Sequence, residues 1–332
     1  MYRITITVLL CLTLLACNRR TDGPGATTYN DLQEQGVKTG GVKMITVHGK
    51  YKVWTKRFGN GSIKVLLLHG GPGCTHEYFE CFESFFPQAG IEFYEYDQLG
   101  SFYSDQPTDT NLWHIPNRVE EVEEVRQDLG LDHFFMLGHS WGGMLGIEYA
   151  LKYQQHLKGL IISNMVASIP RYETRIADLR KQLTKEVNDT IDQFEKSGNT
   201  GDPGYMALVQ REFYNRFICR LPEWPDPLKR GMNHLNMNVY GYMQGASEMV
   251  VTGKMKGWDR WNDLKNITVP VLTIGGEYDE MNPKEMEEMS KLVPHGRYNY
   301  CPNGSHFSFW DDQEHYFPPL IKFLKDVDEG KF

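Results

Sequence analysis

The chain predicts an α/β fold, a doubly wound and mostly parallel sheet with an inserted helical cap. Short, nearly continuous apolar runs alternate with helical segments along most of the 332 residues, the pattern of strands buried on both faces and joined by crossover helices. One long stretch, 170–262, abandons that rhythm for helical periodicity alone. Near the middle, an apolar run passes through Gly-x-Ser-x-Gly directly into a helical segment.

From the N-terminus, Arg3 precedes an apolar run, Ile4 to Ala16, too short for a stable membrane-spanning helix and suited to a signal peptide. It ends Leu14-Leu15-Ala16-Cys17 before polar Asn18-Arg19-Arg20, which resembles the lipobox of bacterial lipoproteins. Residues 1–16 are therefore expected to be a signal peptide, with acylation of Cys17, and 17–40 a tether. An ordinary cleaved secretory signal is the alternative. This expectation puts the protein in the periplasm or cell envelope, touching membrane only through a lipid anchor at Cys17.

An α/β core is expected over 41–169 and 263–332. Lys43 to His48 and Tyr51 to Thr55 alternate apolar and polar around His48-Gly49-Lys50, a hairpin signal. Buried-strand runs follow at Ile63 to Leu68, Ile91 to Tyr96, Phe134 to Leu137, Leu160 to Ile162 and Val271 to Ile274. Helical segments are expected at Arg118 to Leu129, Met144 to Tyr153, Lys284 to Leu292 and Tyr316 to Val327. In the cap, Met206, Val209, Phe213 and Phe217 share one helical face by spacing. Such a cap belongs over the C-terminal edge of the sheet, where open α/β sheets place ligands.

Composition excludes several classes. Charged residues at 23% and hydrophobic residues at 40% are ordinary globular values. A net charge of −8 without any Lys/Arg block argues against nucleic acid as a partner. Neither a Cys-x-x-Cys pair nor a His-rich cluster suggests a metal site, and no cofactor is expected. Beyond Cys11 and Cys17, the thiols are Cys74, Cys81, Cys219 and Cys301; an oxidising compartment allows bridges among them, and the sequence does not choose a pairing.

Ser140 in Gly138-His139-Ser140-Trp141-Gly142 is the expected nucleophile. A Ser on a sharp strand-to-helix turn needs small neighbours where backbones close up, and the helix N-terminus then faces developing negative charge. Upstream, His69-Gly70-Gly71-Pro72-Gly73 ends another strand and can aim a backbone N–H at the same point. With the N–H of Trp141, Gly71 would form an oxyanion hole, with Gly70 beside the substrate. The loop lacks the Lys of a P-loop and the spacing of a dinucleotide fingerprint. A base and an orienting acid must follow in the chain. Of His156, His234, His295, His306 and His315, His306 sits in a turn before the last helix. Asp279, in Gly275-Gly276-Glu277-Tyr278-Asp279-Glu280 after the strand run, is the expected acid, with Glu277 and Glu280 as neighbouring alternatives.

These motifs resemble the α/β-hydrolase fold and, within it, the proline iminopeptidases, from about Gly41 to the C-terminus. His69 to Gly73 is similar to that family's HGGPG signature, and Gly138 to Gly143 to its GHSWGG. The resemblance implies a cofactor-free serine exopeptidase that releases N-terminal residues, Pro or small apolar ones, from short peptides with a free N-terminus. It also implies cap glutamates that read the substrate's ammonium. Glu248, in Gln244-Gly-Ala-Ser-Glu248, is the first candidate; Glu212 and Glu223 compete for the second. Trp141, Tyr103 and Trp224 are candidate walls for a Pro ring. One motif departs: where the family commonly has DQRGxGxS, and some relatives including the tricorn-interacting type read DQLG, this chain reads Asp97-Gln98-Leu99-Gly100-Ser101-Phe102-Tyr103-Ser104, which puts a strict Pro preference in question. An esterase, lactonase or amidase on the same triad is the rival enzyme and would not need Glu248; a capped hydrolase fold serving only as a binding module is the non-enzyme rival. Dehalogenase and epoxide-hydrolase chemistry needs a carboxylate at position 140 instead.

Overall fold

A computed structural model describes residues 41–332. The signal-peptide, tether and Cys17 expectations lie outside the described residues.

Eight strands form one sheet: β1 (Val42–Val47), β2 (Tyr51–Phe58), β3 (Ile63–Leu68), β4 (Ile91–Asp97), β5 (Phe134–His139), β6 (Leu157–Ser163), β7 (Val271–Gly276) and β8 (Gly296–Cys301). Their order is β1-β2-β4-β3-β5-β6-β7-β8. β1 and β2 form an antiparallel hairpin, turned through His48 and Gly49 at positive φ, and β2 meets β4 antiparallel. Every later pairing is parallel. The apolar runs of β3 to β7 are buried because helices cover both faces.

Strand order reverses at β3, which lies between β4 and β5. Leu68 pairs with Gly138 there, so the ends of β3 and β5 lie side by side. Chains leaving the two strands diverge to opposite faces, opening a crevice at the C-terminal edge.

The helices flanking the sheet are α1 (Ile115–Leu129) and α2 (Trp141–Tyr153) early in the chain. A helical insertion follows β6: α3 (Ile169–Arg180), α4 (Lys185–Ser197), α5 (Pro203–Val209), α6 (Asn215–Phe217), α7 (Asp226–Asn233) and α8 (Met237–Met243). After β7 come α9 (Pro283–Leu292), α10 (Ser308–Asp311) and α11 (Gln313–Asp328). The insertion closes at its base, where Ile169 N–H donates to Trp258 O and Arg260 N–H to Ala167 O, both at 2.8 Å. Arg260 and the Trp258 indole also bind Glu148 of α2, at 2.7 and 2.6 Å.

The structure differs from the sequence pattern in two places. β8 carries Arg297, Tyr298, Asn299 and Tyr300; as an edge strand it keeps one side toward solvent, so it lacks a continuous apolar run. In the insertion, Met206 is exposed, and Tyr205 is buried with Val209, Phe213, Tyr214 and Phe217. A π turn over Gln210–Tyr214 adds a residue to the helix and breaks the phase assumed by 3.6-residue spacing.

Candidate active site

Ser140 stands between β5 and α2 with φ 56° and ψ −128°, a strained conformation for a residue with a side chain. Only glycine fits on either side of it. A Cβ on Gly138 would lie 2.0 Å from Gly142 O, and one on Gly142 would lie 2.0 Å from Leu68 O. Gly70 is held as tightly from across the crevice, where an added Cβ would meet Ser140 Cβ at 2.9 Å.

Asp279 follows β7 and His306 follows β8. His306 Nδ1 is 3.0 Å from Asp279 Oδ1, and both residues are buried. The Asp279 carboxylate is fixed by Met281 N–H at 2.9 Å and by Asn164 Nδ2 at 2.8 Å. Asn164 has positive φ just past β6 and also donates to Ser305 O in the His306 loop at 3.1 Å. Its role has no motif in the sequence; a fully buried polar side chain after a strand is the only trace.

The two expected oxyanion residues lie at the adjacent strand ends. Trp141 is the first residue of α2, where helical N–H groups lack intrahelical acceptors. Gly71, at φ 106°, lines the pocket with Gly70. The Gly70 N–H itself is engaged by the Tyr78 hydroxyl. Tyr78 lies 3.3 Å from His139 Nδ1, and His139 Nε2 lies 2.9 Å from His306 O. Burial holds the His139 pKa well below its usual value, so the ring is neutral; its Nε2–H then donates to His306 O and Nδ1 accepts from Tyr78. One buried chain thus links the Gly70 loop to the His306 loop.

The pocket between sheet edge and insertion is narrow, with a cavity volume of about 30 Å³. Its walls are largely apolar: Tyr214, Ile218, Met232, Leu235 and Phe307, with Tyr240 and Glu248 among them. Glu248 accepts from the Tyr240 hydroxyl at 2.8 Å. Glu280, fully buried, lies beside it and accepts from the Tyr172 hydroxyl at 3.2 Å. Glu280 Oε1 has no hydrogen-bond partner among the described residues. Burial raises the pKa of Glu248, and burial together with the neighbouring Glu248 and Asp279 charges raises Glu280 well above the carboxylate range.

A family profile described as alpha/beta hydrolase fold matches residues 64–313. A proline iminopeptidase of Elizabethkingia meningoseptica is 53% identical over 296 residues, covering 88% of this chain and 99% of that protein. One from Flavobacterium johnsoniae is 54% identical, covering 87% and 99%. The chain belongs to the proline iminopeptidase family of α/β hydrolases. Among solved structures, the proline iminopeptidase of Mycobacterium smegmatis superposes with a TM-score of 0.79 at 29% identity, covering 88% of this chain and 100% of that one. VinJ superposes with a TM-score of 0.82 at 30% identity, covering 86% and 98%.

Within this proline iminopeptidase family member, several candidate residues stand apart from the pocket. Glu212 pairs with Arg211 at 2.7 Å, and Glu223 is largely exposed and pairs with Lys229 at 3.1 Å. Neither lines the pocket; the carboxyl beside Glu248 is Glu280, which is fully buried and not itself on the pocket wall. Sequence reasoning weighed Glu280 only as a rival to Asp279, because adjacent residues on one turn look interchangeable. Glu277 faces outward and binds the Tyr300 hydroxyl at 2.6 Å. The proposed Pro-ring walls are also displaced. Trp141 is buried with its indole on Gln98, Tyr103 is partly exposed and binds Glu77, and Trp224 caps Cys219 O. Tyrosines 214 and 240 line the pocket instead. The thiols of Cys74, Cys81, Cys219 and Cys301 are buried and unbridged.

Proposed function

We propose that this chain is a serine exopeptidase that releases the N-terminal residue, proline foremost, from short peptides. The observation that carries this reading is a pair of buried carboxyls, Glu248 on the wall of the Ser140 pocket and Glu280 beside it. An esterase has no use for them; a substrate cation pairs with the carboxylates and offsets their desolvation. A prolyl N-terminus offers two N–H donors, one for each carboxylate, while its ring meets the apolar wall.

Binding so placed sets the first carbonyl at Ser140. His306 accepts the Ser140 proton, and Asp279 holds His306 in the tautomer that leaves Nε2 free to do so. The tetrahedral oxyanion is received by the N–H groups of Gly71 and Trp141, each worth about 3 kcal/mol in the barrier by analogy with other oxyanion holes. His306 then protonates the departing amine, and water activated by the same imidazole releases the free amino acid. The role of Gly70 is to permit this approach, since its N–H is committed to Tyr78.

The test is hydrolysis of Pro-p-nitroanilide beside its N-acetylated form and the Ala and Leu analogues, with Ser140→Ala as control. Turnover of free-amine substrates only, ranked with Pro first, is the expected result. Cleavage of the acetylated anilide at a similar rate would reassign the triad to a general esterase or amidase.

We further infer from Leu14-Leu15-Ala16-Cys17 that the protein is a lipoprotein of the cell envelope. Labelled palmitate should be incorporated by the wild-type chain and not by Cys17→Ala; equal labelling of both would remove this reading.

A further inference from the structure

The turn after β4 departs from the family motif at Leu99, and the structure shows how that turn is held. Leu99 is buried, and its N–H donates to Glu121 Oε1 at 2.7 Å. Arg118, also buried, pairs with Glu121 Oε2 at 2.8 Å and stacks over Trp113 at 4.5 Å. Arg118 of α1 thus holds the carboxylate that braces the turn.

Gln98, the residue this bracing fixes, is buried and hydrogen-bonded to both sides of the crevice. Its backbone N–H donates to His69 Nε2 at 3.0 Å, and its side-chain Nε2 donates to His69 O at 2.9 Å. Its Oε1 accepts from the Trp141 indole Nε1 at 2.8 Å. His69 is neutral, since burial lowers its pKa, so Nε2 accepts while Nδ1–H reaches Gly70 O at 2.8 Å. His69 leads into Gly70 and Gly71 at the end of β3; Trp141 follows Ser140 at the start of α2. Gln98 spans those two sides with donor and acceptor on one planar amide, beside the Tyr78 hydroxyl that joins Gly70 N–H to His139 Nδ1.

We propose that Gln98 is a positioning residue that sets the separation of the two oxyanion donors, the N–H groups of Gly71 and Trp141. This rests on the oxyanion role given to those groups in the function proposed above. A neutral carbonyl tolerates a misplaced donor better than an oxyanion does, so the clamp is felt in the transition state and hardly in substrate binding.

The experiment compares wild type, Gln98→Met and Trp141→Phe. Met keeps the length of Gln without donor or acceptor; Phe removes only the indole N–H. Rates are measured on Pro-p-nitroanilide and on p-nitrophenyl acetate, an ester that needs the same oxyanion hole without the ammonium site. Affinities are measured for pyrrolidine-2-boronic acid, which forms a tetrahedral adduct with a serine, and for free L-proline. For Gln98→Met we expect kcat to fall on the order of 100-fold on both substrates, as a donor displaced by about 1 Å would cause. Boronate affinity should fall by a similar factor, while KM and the proline inhibition constant stay within about twofold. Trp141→Phe should show a smaller loss of the same kind, and the double variant should lose less than the product of the two singles. Should Gln98→Met fail to fold, the kcat-to-KM split in Trp141→Phe decides. Unchanged kcat, or proline affinity weakened as much as boronate affinity, would overturn the proposal. Wild-type ester hydrolysis without anilide hydrolysis would instead strike the peptidase reading, leaving Gln98 to be judged on the ester.

Discussion

Asp279 and Glu280 are neighbours with the same charged group, yet their surroundings give them different work. Asp279 receives two fixed donors and meets His306 at 3.0 Å. Glu280 is buried against a second carboxyl, and its Oε1, without a hydrogen bond, lies 3.8 Å from the same His306 Nδ1. Asp279→Asn should therefore cost about 10⁴ in kcat on anilide and ester alike, because the His306 tautomer is lost. Glu280→Gln should raise KM for Pro-p-nitroanilide by about 100-fold, the scale of one charge-assisted hydrogen bond and its desolvation, and leave ester hydrolysis nearly unchanged. Steady-state kinetics on the two substrates separates the roles; equal losses on both would return Glu280 to the catalytic relay. The pH dependence has a definite sign. Because both carboxyls have raised pKa values, they are neutral on the acid side and bind a cation poorly there. KM for the free amine should fall as pH rises through the pair's titration, and in Glu280→Gln a smaller fall should remain, carried by Glu248 alone. Ser140, Asp279 and His306 could be picked from sequence because each sits beside glycines at a strand end. Glu280, Asn164 and Gln98 could not, since their importance lies in which way a side chain turns, and that is settled by partners distant in the chain.

Among the elements, the ends of β3, β4 and β5 create the site, and the segment after β3 is pinned to β4 by His76. Its N–H and Nδ1 both meet Asp97 Oδ1, at 2.6 and 2.8 Å, and its ring stacks on Trp54 of β2 at 3.9 Å. Burial opposes the charged form, but the Asp97 carboxylate outweighs it and lifts the His76 pKa to about 9. A histidine raised on folding stabilises fully below its unfolded pKa of about 6.5 and loses that contribution as pH climbs through the folded value. The shift corresponds to about 3 kcal/mol. The stability gap between wild type and His76→Phe, which keeps a ring on Trp54, should thus shrink by about that amount between roughly pH 6 and pH 10. Urea unfolding at several pH values measures it; a gap independent of pH would mean that stacking alone holds this segment. The strands from β3 to β7 were legible because burial on both faces imposes a continuous apolar run. β8 was not, since an edge position relaxes that demand, and neither was the π turn, because one added residue leaves composition untouched while rotating every later side chain.

In the molecule as a whole, the insertion is seated on the core at both ends, and the pocket depends on that seating. Away from the closed base near Ser168 and Asp259, α7 is held by two carboxylates of the core, Glu77 and, through Arg230 Nη2, Glu80. Glu77, itself buried, meets Arg230 Nε at 3.2 Å, His234 Nδ1 at 2.6 Å, the Tyr103 hydroxyl at 3.1 Å and the Thr75 hydroxyl at 2.8 Å. Just beyond, Asn236 N–H donates to Gly73 O at 2.9 Å, in the loop that leads from the oxyanion residues. Met232 and Leu235, two of the pocket walls, lie between these anchors on the same stretch of chain. Glu77→Gln keeps the shape and removes the charge that Arg230 and His234 share. Since both partners are partly exposed, water recovers part of the loss, and a destabilisation of about 1–2 kcal/mol is expected. In a domain of this size that lowers Tm by only a few degrees. The larger effect should be on KM for Pro-p-nitroanilide, because loosened anchors let the apolar wall move away from the ring while Ser140, His306 and Asp279 keep their places in the core. Thermal unfolding together with kcat and KM tests this. A drop in Tm with KM unchanged would show that the base of the insertion alone positions the wall, and a drop in kcat of the same size as the rise in KM would show that α7 also carries strain into the Gly70–Gly73 loop.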